Sequence, residues 1–247
     1  MKKALLFISL LLVSLSFSQI DYGKQVKKKD VDKGLISFVK TTDDKGNVSI
    51  GFRMDDLPVG PQLNIDAAGI KTYSNYNKDH VMDGTTIIMN SSTGEVTLYT
   101  YRNNLLDGPA FQIANGKIAW TKQFKKGFED PNGYTVNHSF DFYTDKNKPN
   151  FEGFTIEKYK TSYALGYFAY GSKAFPIIQI WDAGDSFYGQ CIQGLRKEFG
   201  VYFFANKNIY IGAWHKNNQE GLGFIVDKNL TVIQKGFYDA GTLKISL

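Results

Sequence analysis

Tyr210-Ile211-Gly212-Ala213-Trp214, followed by Glu220-Gly221-Leu222-Gly223-Phe224, is the stretch from which the rest of the chain can be read. Side chains alternate along a strand, so Tyr210, Gly212 and Trp214 share one face and the glycine lies between two rings. That glycine leaves a slot able to receive a bulky side chain from a neighbouring strand. Gly221 with Gly223 offers a second slot on the return strand. One hairpin cannot cover its own apolar face, so such a unit implies similar hairpins stacked beside it.

The copies are present. Gly212, Gly189 and Gly166 are spaced 23 residues apart, each within two residues of an aromatic one, and Gly236 follows with one residue more. The return-strand positions keep step at Glu152 to Phe154, Phe175 to Ile177, Glu198 to Gly200 and Gly221 to Gly223. In the N-terminal half Gly60, Gly84 and Gly108 lie 24 apart, and Gly133 follows after 25. Ile50-Gly51-Phe52 stands nine residues before Gly60, the offset that separates Gly212 from Gly221. Between the landmarks fall clusters that tolerate left-handed backbone: Asp44 to Asn47, Asp66 to Gly69, Ser92 to Gly94, Asn115-Gly116, Asp182 to Gly184, Asn206 to Asn208 and Asp227 to Asn229. Asn132 to Asn150 has no clear register. The 19 Phe, 15 Tyr and 24 Gly against only 6 Pro favour strands throughout. The expectation is an all-β chain in which residues 34–247 form one elongated repeat domain.

On these residues the chain resembles MORN-repeat proteins. Tyr-x-Gly-x-Trp, then Glu-Gly-x-Gly and a further aromatic, is met at Tyr210 to Phe224. Leu106-Asp107-Gly108-Pro109-Ala110-Phe111 through Asn115-Gly116-Lys117 to Phe124-Lys125-Lys126-Gly127 is similar to the variant found in bacterial antitoxin-like members. Cys191 and Phe168 replace the tryptophan in two units, and Phe175 and Ile177 replace both return-strand glycines in one. The short inter-strand loop lacks its usual glycine at Asn217 or Asn218. The resemblance implies a single elongated, twisted antiparallel sheet of successive hairpins. It also implies roles in scaffolding, self-association and, for some members, contact with acidic phospholipid surfaces, none of them carried by a catalytic residue.

The N-terminus reads as an export signal. Lys2-Lys3, an apolar run from Ala4 to Leu15 and small residues at Ser16 and Ser18 predict a signal peptide over residues 1–18, cleaved before Gln19. The run is shorter than the roughly 20 apolar residues that span a bilayer. No cysteine near the cleavage site offers a lipid attachment point, so a periplasmic or secreted location without a lipid anchor is expected. Loss of Lys2 and Lys3 leaves 27 basic against 24 acidic residues, a net charge of +3. Lys24, Lys27, Lys28, Lys29 and Lys33 concentrate that charge in residues 19–33, read as a flexible lead-in. Without a basic stripe or recognition motif, nucleic acid is not expected as a partner. A single Cys191 excludes an internal disulfide and a cysteine-based zinc site.

Chemistry is sparse. His80, His138 and His215 lie in separate units without ligand spacing, so no metal and no cofactor is expected. His215, next to Trp214, belongs on the opposite sheet face. Cys191 takes the place of Trp214 one repeat earlier and reads as an apolar packing residue. Asp43-Asp44, Asp55-Asp56, Glu129-Asp130 and Asp182 with Asp185 fall mostly in turns, where Asp is favoured for its backbone bonds, and nothing selects a glycosidase pair among them. The aromatic rows are the better candidates. Tyr99, Tyr101, Trp120, Trp181, Tyr210 and Trp214 could anchor a partner or stack on sugars, or could only pack the sheet. The leading expectation is an exported, non-enzymatic scaffold that contacts a protein or envelope component. A carbohydrate-binding sheet is the first alternative and a hydrolase the second, with an acidic lipid surface a further possible contact. The identity of the partner and the oligomeric state are not encoded in any motif.

Overall fold

The computed structural model of the protein describes residues 25–131, 152–169 and 172–247. The signal peptide expected over 1–18, His138 and the stretch from Asn132 to Asn150 lie outside the described residues. A helical turn, α1 (Lys28–Asp32), is followed by β1 (Ser37–Thr42), β2 (Val48–Met54), β3 (Leu57–Ile65), β4 (Ile70–Tyr76), β5 (Gly84–Asn90), β6 (Glu95–Arg102), β7 (Leu105–Leu106), β8 (Gly108–Ala114), β9 (Lys117–Lys125) and β10 (Phe128–Glu129). Then come β11 (Glu152–Lys158), β12 (Ser162–Ala169), β13 (Ser172–Trp181), β14 (Ser186–Ile192), β15 (Leu195–Phe203), β16 (Ile209–His215), β17 (Asn218–Val226), β18 (Val232–Asp239) and β19 (Thr242–Ser246). The fold is all-β, built from antiparallel hairpins of consecutive strands as the repeat predicts.

The expectation of one sheet is corrected. Among the described residues the strands form a 10-stranded sheet, β1 to β10, and a 9-stranded sheet, β11 to β19. The two lie face to face. Phe224 of β17 meets Phe38 and Phe52 of β1 and β2 at 5.3 and 6.0 Å between ring centroids. Phe203 of β15 meets Tyr73 of β4 at 6.3 Å, and Phe154 of β11 meets Phe111 of β8 at 5.5 Å. The first repeats therefore cover the last. The driving force is burial of one apolar face per sheet: Ile50, Phe52, Leu63, Tyr73 and Ile87 on one side and Val201, Ile211, Phe224 and Val226 on the other are sealed from solvent in one shared core. A repeat period specifies neighbouring strands, and says nothing about which distant strands will cover them.

The lead-in is also corrected. Val31 is buried in the shared core, and Asp30 pairs with Lys78 while accepting the Lys27 amide at 2.8 Å. Residues 28–32 are thus docked and not a free tail.

Turns alternate in kind. At one set of strand ends two residues suffice, both with positive φ, as at Asp55-Asp56, Asn103-Asn104, Lys216-Asn217 and Ala240-Gly241, the geometry whose twist matches a hairpin. Elsewhere an Asp closes the turn by accepting two amides. Asp43 takes those of Lys45 and Asn47, Asp66 those of Ala68 and Ile70, and Asp227 those of Asn229 and Thr231. These are structural duties for carboxylates that could be mistaken for acid–base groups.

Candidate functional site

The landmark glycines meet in a single row. Gly166, Ile177, Gly189, Gly200, Gly212, Gly223 and Gly236 are successive cross-strand partners through β12 to β18, on the face turned away from the first sheet. The slot they create is filled from within each hairpin. Tyr210 lies back over Gly212 and Gly223 of its own hairpin: a Cβ on either glycine would fall 2.3 or 2.5 Å from its Oη. Phe187 lies in the same way over Gly189 and Gly200. Where the aromatic is missing, the glycine is missing too: Ala164 stands in the place of Tyr210 and Ile177 in the place of Gly200, both fully buried. In the first sheet the slot at Gly51 is filled across the strand, by Gln62, whose Nε2 donates to the carbonyls of Phe52 and Val59 at 2.9 Å.

These packed rings form a second apolar layer on the outer face of the second sheet. Tyr210 meets Trp214 at 5.2 Å and 87° and Tyr238 at 5.4 Å and 82°, and Trp214 meets Phe187 at 5.6 Å and 80°, all edge to face. Tyr210 Oη donates to the Ala213 carbonyl at 2.9 Å and Trp214 Nε1 to that of Gly200 at 3.2 Å. Tyr210 is 0% and Trp214 6% exposed, so these two expected binding residues are packing residues. Burial drives the Tyr210 phenol far above its ordinary value. Cys191 is buried in the same layer, as expected of a packing residue.

Trp181 is different. Half-buried at the end of β13, it faces Tyr202 at 5.7 Å and 38°, and Tyr202 in turn faces Phe204 at 4.8 Å. The Arg196 guanidinium lies across this group, 4.4 Å from the ring of Trp214, 5.2 Å from Tyr202, 5.7 Å from Phe187 and 5.8 Å from Trp181. Its Nη2 donates to the Asn217 carbonyl at 3.1 Å. Burial pulls its pKa below the ordinary value, and the Tyr202 oxygen partly restores it. The Tyr202 phenol is pushed up by burial and by the Asp185 carboxylate. Arg196 and Tyr202 were not expected from the sequence, and Asp185 was read there as a turn carboxylate. Tyr202 could have been found from its place two residues after Gly200, whereas Arg196 holds the repeat position of Lys173 and Gln219, where no shared residue type marks it.

The remaining expected residues gather on the outer face of the first sheet. Tyr99 meets Tyr101 at 6.5 Å, Trp120 at 6.0 Å and Phe124 at 6.4 Å, with interplanar angles of 63°, 45° and 57°. All four rings are half-buried. Lys122 Nζ stands 5.9 Å from the Trp120 ring centre and 2.6 Å from Glu129. At the adjoining edge Leu105 is 49% and Phe128 79% exposed.

One cavity of about 420 Å³ opens where the two sheets meet beside α1, lined by Val26, Pro61, Trp214, Leu222, Glu198 and Glu220 among others. Both carboxylate oxygens of Glu198 are sealed from solvent, and Glu220 accepts the Ala240 amide at 3.1 Å. His215 is exposed on the face opposite Trp214, and His80 Nδ1 lies 3.0 Å from the Pro58 carbonyl. Among the described residues no group of His, Cys, Asp and Glu could hold a metal ion, and no helix is long and apolar enough to cross a membrane.

No protein-family model matches the chain, and no curated protein matches it. A solved structure similar to it is the wild-type TCP10 domain of Danio rerio CPAP in complex with a peptide of Danio rerio STIL, 11% identical over 82% of this chain and 100% of that one, with a TM-score of 0.15. A likeness at that score carries no argument about fold or partner.

Proposed function

We propose that the protein is an exported, non-enzymatic scaffold of MORN-type hairpin repeats that holds a protein or envelope partner on the outer face of its first sheet. The observation that carries this reading is the ring cluster around Tyr99, half-exposed on a face that the second sheet does not cover and bordered by Leu105 and Phe128. Rings of this kind, with a polar rim, are the usual anchors of protein interfaces. Their mutual tilts of 45° to 63° make a knobbed relief suited to interdigitating side chains and not a flat platform for a sugar chain. Export rests on the leader read in residues 1–18, and the absence of a catalytic role rests on the structural duties of the carboxylates and histidines.

The test is co-purification from the native envelope, with the tagged mature chain compared with its Tyr99→Ala/Trp120→Ala variant. A partner held by the wild type and lost by the variant, at an unchanged melting midpoint, is the expected result. A partner retained in full by the variant would overturn the assignment of the face. Turnover of a glycan or peptide library by the purified chain would overturn the non-enzymatic reading.

A further inference from the structure

We propose that the cavity at the seam of the two sheets is a binding site for a small molecule with an apolar body and a primary ammonium head, the head held by Glu220 and Asn75. The site lies between the sheets and stands independently of the function proposed for the outer face of the first.

The cavity is built by irregularities that the repeat brings to one place. Gly60 in β3, Glu198 in β15 and Gly221 in β17 all line it, and all three have left-handed backbone, at φ 63°, 65° and 73°. Each belongs to a stretch of extra residues opposite a register shift, between Gly51 and Phe52, Gly189 and Cys191, and Gly212 and Trp214 respectively. Bulges of this kind bend a strand and re-aim its side chains, and they are over-represented beside active sites. The sheets touch beside the cavity, where a Cβ on Gly60 would fall 2.9 Å from Leu222 Cδ1. The opening of about 420 Å³ falls within the roughly 300–1,000 Å³ usual for small-molecule sites. Val26, Pro61, Leu222 and Phe237 supply the apolar wall that takes the body of the ligand. These walls are set by strands, which lowers the ordering cost of binding.

The buried polar groups decide the head. Asn75, 8% exposed, lines the cavity and donates from Nδ2 to the Asp83 carbonyl at 3.3 Å; that bond fixes the amide and leaves Oδ1, an acceptor, for a ligand. Glu220, half-buried, accepts the Ala240 amide through Oε2 at 3.1 Å and keeps Oε1 for a ligand. Glu198 shapes the wall and does not reach the ligand, because both its carboxylate oxygens are sealed. Lys27, Lys28 and His215 are exposed and belong to the rim, and Lys28 is paired with Asp32 at 2.8 Å. An ammonium donates three hydrogen bonds and so satisfies both oxygens at once, whereas a hydroxyl has a single proton to give. The bond to Glu220 is then charge-assisted at both ends. A carboxylate head would meet Glu220 as like against like.

The mature chain should be titrated with n-hexylammonium and with phenethylammonium, followed by calorimetry and by tryptophan fluorescence, since Trp214 lines the cavity. 1-Hexanol and hexanoate are the matched neutral and anionic probes. Binding of at least one ammonium is expected, with hexanol weaker by about tenfold or more. Glu220→Gln keeps an acceptor for the Ala240 amide, so the turn is retained. It should lower the affinity for the ammonium to that for hexanol and leave hexanol itself unchanged, a split that a purely structural role does not produce. Ala213→Leu, which adds bulk to the cavity wall, should weaken ammonium and alcohol alike, while Tyr99→Ala/Trp120→Ala should change neither. Silence with both ammonium probes would overturn the proposal. So would equal binding of hexanol, a preference for hexanoate, or ammonium binding that survives Glu220→Gln in full.

Discussion

The packing of rings onto glycines can be tested by moving one repeat's solution into another. In the β14–β15 repeat Phe187 covers Gly189 and Gly200, and a Cβ on Gly200 would lie 2.3 Å from Phe187 Cε2. One repeat earlier Ala164 and Ile177 occupy the equivalent positions and are fully buried. Phe187→Ala alone should cost about 3–5 kcal/mol, the usual figure for emptying a buried aromatic site. Gly200→Ile alone should cost roughly 3 kcal/mol, because the added branch meets the ring before it meets any free space. Gly200 has no left-handed backbone, so the substitution adds no strain of its own. Independent effects would sum to about 6–8 kcal/mol. The double variant reproduces the Ala164–Ile177 pair, and its isoleucine fills the space the ring has left. We expect it to lose only about 3–5 kcal/mol, a favourable coupling of about 2–3 kcal/mol. Urea unfolding followed by circular dichroism measures all four corners of the cycle, and each kcal/mol also moves the melting midpoint by about 2–4 °C in a chain of this size. Strict additivity would refute the reasoning, because it would mean that ring and glycine do not share one volume.

Other expectations follow from the turns and the titrating groups. Ala240 is held at φ 48° ahead of Gly241, so Ala240→Asn, which tolerates that backbone, should raise the unfolding free energy by about 0.5–1 kcal/mol; an unchanged or lower urea midpoint would contradict this. Hydrogen bonds from Asn47 to Asp43 and from Thr231 to Asp227 hold these carboxyls below their ordinary value. Burial pushes Asp30 up, yet the bonds from Lys78 and Lys27 outweigh it and hold that group low as well. A carboxyl depressed by folding adds stability above its unfolded value and loses it as the pH falls through the folded one, so the urea midpoint should fall below about pH 4. Lys78→Gln should bring that loss to higher pH. Burial raises Tyr238 to about 12, so its contribution is intact below the unfolded phenol value and lost as the pH rises through the folded one. Ultraviolet titration should show this phenol ionising late, together with alkaline unfolding, and Tyr238→Phe should lower the amplitude of the late step by one phenol while Tyr210 and Tyr73, also raised by burial, still contribute to it.

The spacing of glycines made the hairpin order legible, because each landmark serves a contact between neighbouring strands. Gly200, Gly212 and Gly223 meet in the predicted register. The closure of two sheets was not legible, since Phe38 and Phe224 lie far apart in sequence and no local period encodes their meeting. The helical turn at Lys28–Asp32 is too short to show a period, and its charged neighbours disguise the one apolar anchor, Val31. Lys216-Asn217 needed no glycine, because Asn accepts the left-handed conformation and Lys216 is carried with it at φ 47°. The candidate site divided along similar lines. Ring positions were visible, but their exposure depends on what stands two residues away and across the strand. Arg196 was invisible because its reach over Trp214 depends on the register shift between Gly189 and Cys191.

That dependence also explains why the two outer faces differ. On the second sheet Phe187 and Tyr210 each precede a glycine by two residues, and that glycine is paired with another, Gly189 with Gly200 and Gly212 with Gly223, so each ring can lie down and close the surface. On the first sheet the residue two after Tyr99 is Tyr101, paired with Gly84, and the residue two after Trp120 is Lys122, paired with Ala110, so neither ring has a pair of glycines beside it. The nearby glycines stand elsewhere, Gly84 opposite Tyr101 and Gly108 opposite Phe124. With no slot to enter, these rings remain upright and half-exposed. One repeat pattern thus yields a sealed layer where the glycines are in phase with the rings and a sticky surface where they are not. Placing glycine at Tyr101, opposite Gly84, should let Tyr99 fold down over the pair, and partner capture by the first sheet should fall even though Tyr99 itself is retained. Capture that persists in the Tyr101→Gly chain, at an intact circular dichroism spectrum, would show that ring exposure is not what the partner reads.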